Sequence, residues 1–133
     1  MAAFDDLMAE VTAGGTGFHH RQHVQLTYLA ISRFGPTHAS SLVSEGIQAT
    51  ARAAGVPQKF HLTMTRAWSE LVAHHVGHEP EATFEQLVAH NPLLLDTSLL
   101  SRFYSDDLLY GDLARGTWVA PDLQPLPAHD PVK

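Results

Sequence analysis

The sequence predicts an all-α protein, a compact single-domain bundle of about five to seven helices followed by an extended, proline-rich C-terminal tail. Three observations carry this reading. Apolar residues recur at spacings of three and four through most of the chain. Glycine and proline cut it into helix-length pieces. No stretch alternates apolar with polar residues for long enough to make a sheet strand. A length of 133 residues suits one sizeable hydrophobic core, so the expected division is a helical domain over 1–117 and a tail over 118–133.

The elements follow in order. Residues 2–13 place Phe4, Leu7, Met8 and Val11 on one helical face before Gly14, Gly15, Thr16 and Gly17 end the segment. A second helix is predicted from about His20 to Phe34, stopped by Gly35-Pro36. Pro36 suits the start of the third, because its missing N–H would have had no partner in a first turn. That helix is expected to reach about Ala54, closed by Gly55 and Pro57. Residues 58–76 make a fourth, with Phe60, Met64, Trp68, Leu71 and Val72 on one side and Gly77 as the expected C-cap. Thr83-Phe84-Glu85-Gln86 has the capping-box pattern for a short helix to about His90. Asn91-Pro92 breaks the chain, Leu93–Phe103 reads as another short helix, and Ser105-Asp106-Asp107 begins a last one ending near Arg115. Four of the eight prolines, at 121, 125, 127 and 131, keep the tail extended, and Trp118 and Val119 are expected to pin it to the body.

Composition excludes several function classes. Hydrophobic residues at 44% are enough to fill a core, so the chain should fold. A formal charge of −6, with eight Lys and Arg scattered along the chain, repels phosphate backbones and argues against nucleic acid as a partner. Without cysteine there is neither a disulfide framework nor thiolate chemistry. Residues 1–17 carry Asp5, Asp6 and Glu10 and lack the pattern of a signal peptide. No apolar run approaches the roughly 20 residues that span a bilayer. A cytoplasmic protein with no membrane partner is therefore expected; the sequence leaves a homo-oligomer open.

The sharpest chemical signal is the run His19-His20-Arg21-Gln22-His23, joined by His61 at the start of the fourth helix. His20 and His23 are three positions apart and His19 and His23 four, so either pair projects from one helical face and can chelate. If the two helices pack together, three imidazoles converge. Three nitrogens at about 2.0–2.1 Å from an ion leave a position open for water or substrate, the arrangement of a catalytic rather than a structural site. Zn, Fe, Cu, Ni and Co all accept imidazole, so the divalent ion is not specified. Asp96 and Glu70 are the candidate carboxylates to complete the set, and nothing local singles out either.

Plainer readings compete. His38, His78, His90 and His129 read as surface or loop residues, and His74, His75 and His78 cluster near a helix C-terminus, where the helix dipole favours imidazolium. A buried histidine also works as a general acid or base without any ion. Thr65 and Tyr104 offer hydroxyls for such chemistry, and Arg66 and Arg115 offer a clamp for an anion. Each has a structural alternative: Thr65 bonded back to a helix carbonyl, Tyr104 capping the core, the arginines solvated or paired with Asp106, Asp107 or Asp112.

Read together, Phe18-x-His20-x-x-His23, Phe60-His61-x-Thr63-x-Thr65 followed by Trp68, Asn91-Pro92-x-Leu94-Leu95, Tyr104-Ser105, Ala114-Arg115, Pro121-Asp122 and Pro125-Leu126-Pro127 resemble a family of small, poorly characterised bacterial proteins over about residues 18–127. In that family an aromatic residue or Thr precedes His-x-x-His, which implies His20 rather than His19 as the partner of His23. Its second motif is usually Tyr-His-x-Thr-x-Thr; Phe60 lacks the hydroxyl, so no proton transfer is assigned there. The resemblance implies a site of His20, His23 and His61, with Thr65, Tyr104 and Arg115 as pocket residues, and names no reaction. The expected function is a small metal-dependent enzyme acting on a small molecule by hydrolysis, hydration or oxygenation. The alternatives are a metal- or haem-binding sensory module and a metal-free acid/base isomerase or lyase.

Overall fold

Gly35 and Pro36 together make the central turn of the molecule. Gly35 takes φ +85°, which a side chain would resist, and Pro36 opens the next helix directly behind it. In the computed structural model, which describes residues 2–15 and 17–127, this turn joins α2 (His20–Phe34) to α3 (Pro36–Ala53). Both pack against α4 (Leu62–His78), and α1 (Ala2–Val11) lies across α2 and α3. Three shorter helices follow, α5 (Phe84–His90), α6 (Asp106–Leu109) and α7 (Asp112–Gly116), of which α7 packs on α4. Among the described residues the fold is all-α, with seven helices in one domain and no strand. No helix among them is long and apolar enough to cross a membrane.

The apolar spacing sets which faces meet. Val24, Leu26, Ala30 and Ile31 of α2, Ala39 and Val43 of α3, and Trp68, Leu71 and Val72 of α4 form one continuous core with Phe4, Leu7 and Val11 of α1. Gly46 on α3 faces the Phe4 ring. A Cβ there would overlap the Phe4 ring, so the absence of a side chain lets α1 lie flat on α3.

Caps set the helix bounds, and several depart from the sequence expectation. The fourth helix begins at Leu62 rather than near residue 58, because the His61 ring accepts the Met64 N–H at 3.1 Å and so acts as the N-cap. Residues before it form a 3-10 turn, Pro57–Lys59. Gly77 does not end α4. It keeps a negative φ, and the helix runs on to His78 before Glu79 donates its N–H to His75 O and Val76 O. The capping box at Thr83 is present in both halves. The single helix expected over Leu93–Phe103 is two 3-10 turns, Pro92–Leu95 and Leu99–Arg102. They are separated where Asp96 Oδ1 accepts both the N–H and the hydroxyl of Ser98. The last expected helix is likewise divided into α6 and α7 at Gly111.

The tail is strapped to the body as far as residue 127. Thr63 Oγ1 donates to Thr117 O at 2.7 Å and accepts from the Val119 N–H at 3.2 Å. Leu123 N–H bonds Phe103 O, Asp122 accepts from both Ser105 N and Ser105 Oγ, and the Arg66 guanidinium lies 4.2 Å above the Trp118 ring. Trp118 and Val119 thus pack against the core as expected. Pro131 lies outside the described residues.

The contact at Gly46 makes a test of this packing. Gly46→Ala should destabilise the protein by about 1–2 kcal/mol, an overpacking cost of roughly 1–3 kcal/mol partly offset by the better helix propensity of alanine. In a Phe4→Ala background the same substitution should cost nothing further. Equal losses in both backgrounds by urea denaturation would show that the Phe4 contact is not the cause.

Candidate functional site

The first turn of α2, the N-cap and first turns of α4 and the segment 97–110 enclose a cavity of about 410 Å³. His20, His23 and His61 all line it, with Thr65 and Trp68 of α4. α2 and α4 pack together, and the three imidazoles line one cavity. What each ring does there differs.

His20 is the first residue of α2, and its Nε2 stands 2.9 Å from the backbone oxygen of Leu94. A carbonyl only accepts, so Nε2 carries the proton, and in the neutral ring Nδ1 keeps the lone pair. The ring meets the face of Trp68 edge-on at 4.5 Å between centroids. Burial pushes its pKa down; the Leu94 carbonyl and, more weakly, Asp96 oppose that.

His23 lies one turn further along, its ring 6.4 Å from that of His20 and nearly perpendicular to it. Its backbone carbonyl accepts from Thr27 Oγ1, but its Nε2 is sealed from solvent and bonds nothing. Desolvation, and secondarily repulsion from His20, lower its pKa from 6.5 to about 4. At neutral pH it is an uncharged imidazole with one buried nitrogen unsatisfied.

His61 has no nitrogen to spare. Nδ1 accepts from Met64 N–H, which places the proton on Nε2, and Nε2 donates to Leu109 O at 2.7 Å. Burial again lowers its pKa, opposed by the Leu109 carbonyl and assisted by the positive charge of Arg115. The ring is a structural clasp between the start of α4 and the end of α6.

The other expected residues divide. Thr65 is buried in the cavity wall, with Oγ1 donating to His61 O at 2.8 Å. Tyr104 does not line the cavity. Its hydroxyl donates to Val119 O at 2.8 Å, and burial raises its pKa to about 12. Arg115 donates to Gln58 O at 2.9 Å and reaches the site only through its field on His61. Asp96 is exposed and held by Ser98, and Glu70 faces the grooves beside α3 and the tail. Sequence reasoning missed Lys59, Thr97, Ser101 and Tyr110 in the wall. The sequence placed all four inside expected helices, whereas the structure has them in or beside 3-10 turns and at a helix end, so no helical face pointed to the cavity; only Lys59, just before the Phe60-His61 motif, had a signal nearby.

Among the described residues, no group of three or more His, Asp or Glu side chains is placed to hold a metal ion. The donor chemistry explains this. A three-imidazole centre needs a lone pair from His61, and its only one is taken by Met64 N–H. The rings as they stand do not fit such a centre.

The unsatisfied nitrogen of His23 has a thermodynamic consequence. Between pH 6.5 and about 4 the unfolded chain binds a proton at His23 that the folded chain refuses, so stability is full above this window and falls as pH drops through it. The loss from this one group should be on the order of 3 kcal/mol. His23→Gln should flatten the dependence of unfolding free energy on pH across the window by up to one proton; an unchanged slope in urea titrations would show that His23 is not held neutral. No protein-family model, curated protein or solved structure matches this chain.

Proposed function

We propose that the cavity between α2 and α4 is the active site of a metal-free acid/base enzyme that moves a proton on a small carbonyl compound, as an isomerase or lyase does. The observation that carries this reading is the buried, unpartnered Nε2 of His23 in a cavity wall. A buried polar atom without a partner costs about 1–3 kcal/mol, and a substrate oxygen that displaced the wall covering this enclosed nitrogen would satisfy it.

The roles follow from the ring nitrogens. His20 is uncharged, with its Nε2–H anchored on Leu94 O, and so has the Nδ1 lone pair as a base. It takes a proton from the carbon next to the substrate carbonyl, and the electron pair left by the broken C–H bond moves onto the carbonyl oxygen. His23, in its Nε2–H form, donates to that oxygen. A ring whose pKa is held near 4 stays neutral throughout, so it polarises the carbonyl without delivering a full charge. The His20 imidazolium, supported by the Leu94 carbonyl, then returns the proton to that same carbon, or to the γ carbon of a β,γ-unsaturated substrate, as the electron pair on oxygen re-forms the carbonyl. Thr65 and His61 act as positioning residues: Thr65 bonds the His61 carbonyl, and His61 holds α4 to α6.

A second reading rests on the same orphaned nitrogen. A divalent ion would satisfy His23 Nε2 and could take His20 Nδ1, provided that the His61 ring gave up Met64 N–H or Leu109 O to supply a third donor. Elemental analysis of untagged protein separates the two. About one metal per chain, lost in His23→Ala, favours the ion; metal-free protein that retains activity favours the imidazole pair.

The leading reading is tested by NMR in D₂O with a panel of small aldehydes, ketones and 2-oxo acids. The protein should catalyse exchange of hydrogen next to the carbonyl for at least one of them. His20→Gln should lower the rate by about 10²-fold or more, as removal of a general base does, and His23→Gln should do so with little change in KM. Exchange at the buffer rate for every compound, or full activity in His20→Gln, would overturn it.

A further inference from the structure

The segment 92–103 is a partition with a cavity on either side. Thr97, Leu100 and Ser101 face the first cavity, whereas Leu94, Leu99, Arg102 and Phe103 face a second, of about 580 Å³. We infer that this second cavity is a binding site for a small monocarboxylate with an apolar body.

Its floor is the apolar part. Leu71, Leu94 and Leu99 are buried, and Phe103 packs beside them. Its rim is made of nitrogen. His74, His75 and His90 contribute imidazoles, Arg102 a guanidinium, and Asn91 and Gln124 amides. None of the lining residues is Asp or Glu, although the chain has 14 of these against eight Lys and Arg. In a chain of net charge −6 that local exclusion of carboxylates makes a place for one brought in by a ligand.

The neighbouring acids are accounted for. Glu79 bonds His90 Nδ1 at 2.6 Å and Asn91 Nδ2 at 2.8 Å, so the carboxylate that touches the rim is already engaged by these two residues. Asp96 is held by Ser98, and it and Arg102 feel each other's charge. Arg102 nevertheless forms no ion pair among the described residues and is exposed at the rim. One permanent cation suits a monoanion better than phosphate, and its planar fork suits a carboxylate. The tail completes the wall: Gln124 Nε2 donates to Arg102 O at 2.9 Å, which sets Pro125 and Pro127 against the opening.

Calorimetry on the full chain with 4-phenylbutanoate as probe tests this. One saturable site is expected, with the uncharged 4-phenylbutanamide at least about tenfold weaker and Arg102→Gln lowering carboxylate affinity by about tenfold. Substitution of His23 by Gln in the first cavity should leave this affinity unchanged. In labelled protein the imidazole signals of His74, His75 and His90 should shift while that of His61 stays. The inference is overturned if acid and amide bind equally, if Arg102→Gln has no effect, if His23→Gln abolishes binding, or if nothing saturates by about 10 mM.

Discussion

Two backbone carbonyls decide what the histidine cluster can do. Leu94 O and Leu109 O each take an Nε2–H, from His20 and His61 respectively, across 74 and 48 residues of sequence. These bonds dock the irregular half of the chain onto the helical core. Burial keeps both rings neutral, and these bonds then place the proton on Nε2 and leave the lone pair on Nδ1. His61 spends its remaining lone pair on Met64 N–H, and His20 keeps its own. His23, between them in the cavity wall, has an enclosed Nε2 that bonds nothing. The different chemical roles of three identical side chains come from which backbone groups reach them.

The same economy of backbone bonding shapes the rest of the C-terminal half. Short 3-10 turns and four- and five-residue helices cannot hold themselves together, because helix nucleation is costly and each hydrogen bond adds only about 0.5–1.5 kcal/mol net. They are positioned instead by side chains from the long helices and by each other: Thr63 to Thr117, Tyr104 to Val119, Arg66 over Trp118. A scaffold of three packed helices thus carries a loosely regular wall, and both cavities lie where that wall meets the scaffold. By contrast, the exposed ion pairs, Arg33 with Glu10 and Arg21 with Glu85, sit at the surface and add little.

How much of this was legible in the sequence depended on distance along the chain. Local signals worked: Gly35-Pro36 placed the end of α2 and the start of α3, and Thr83 with Gln86 placed the start of α5. Helical spacing put His20 and His23 on one face and, with His61, beside one cavity. The pattern failed where a residue's partner is remote or where two roles share one signature. A histidine at a helix start reads equally as a ligand and as an N-cap, and only the coordinates show His61 bonded at both nitrogens. Tyr104 and Arg115 looked like pocket residues, yet their partners, Val119 O and Gln58 O, are backbone atoms that no side-chain motif announces. Leu93–Phe103 reads as one helix in the sequence, whereas Asp96 and Ser98 divert the backbone within it.

The mechanism proposed for the cavity needs neutral imidazoles whose tautomers the backbone has chosen. Nitrogen-15 NMR of the histidine rings across a pH titration tests it most directly. Nε2–H forms are expected for His20 and His61 at neutral pH, with a His23 ring that takes up its proton only near pH 4. A His61 ring protonated at Nδ1, or a His23 ring that titrates at its ordinary value near 6.5, would contradict it.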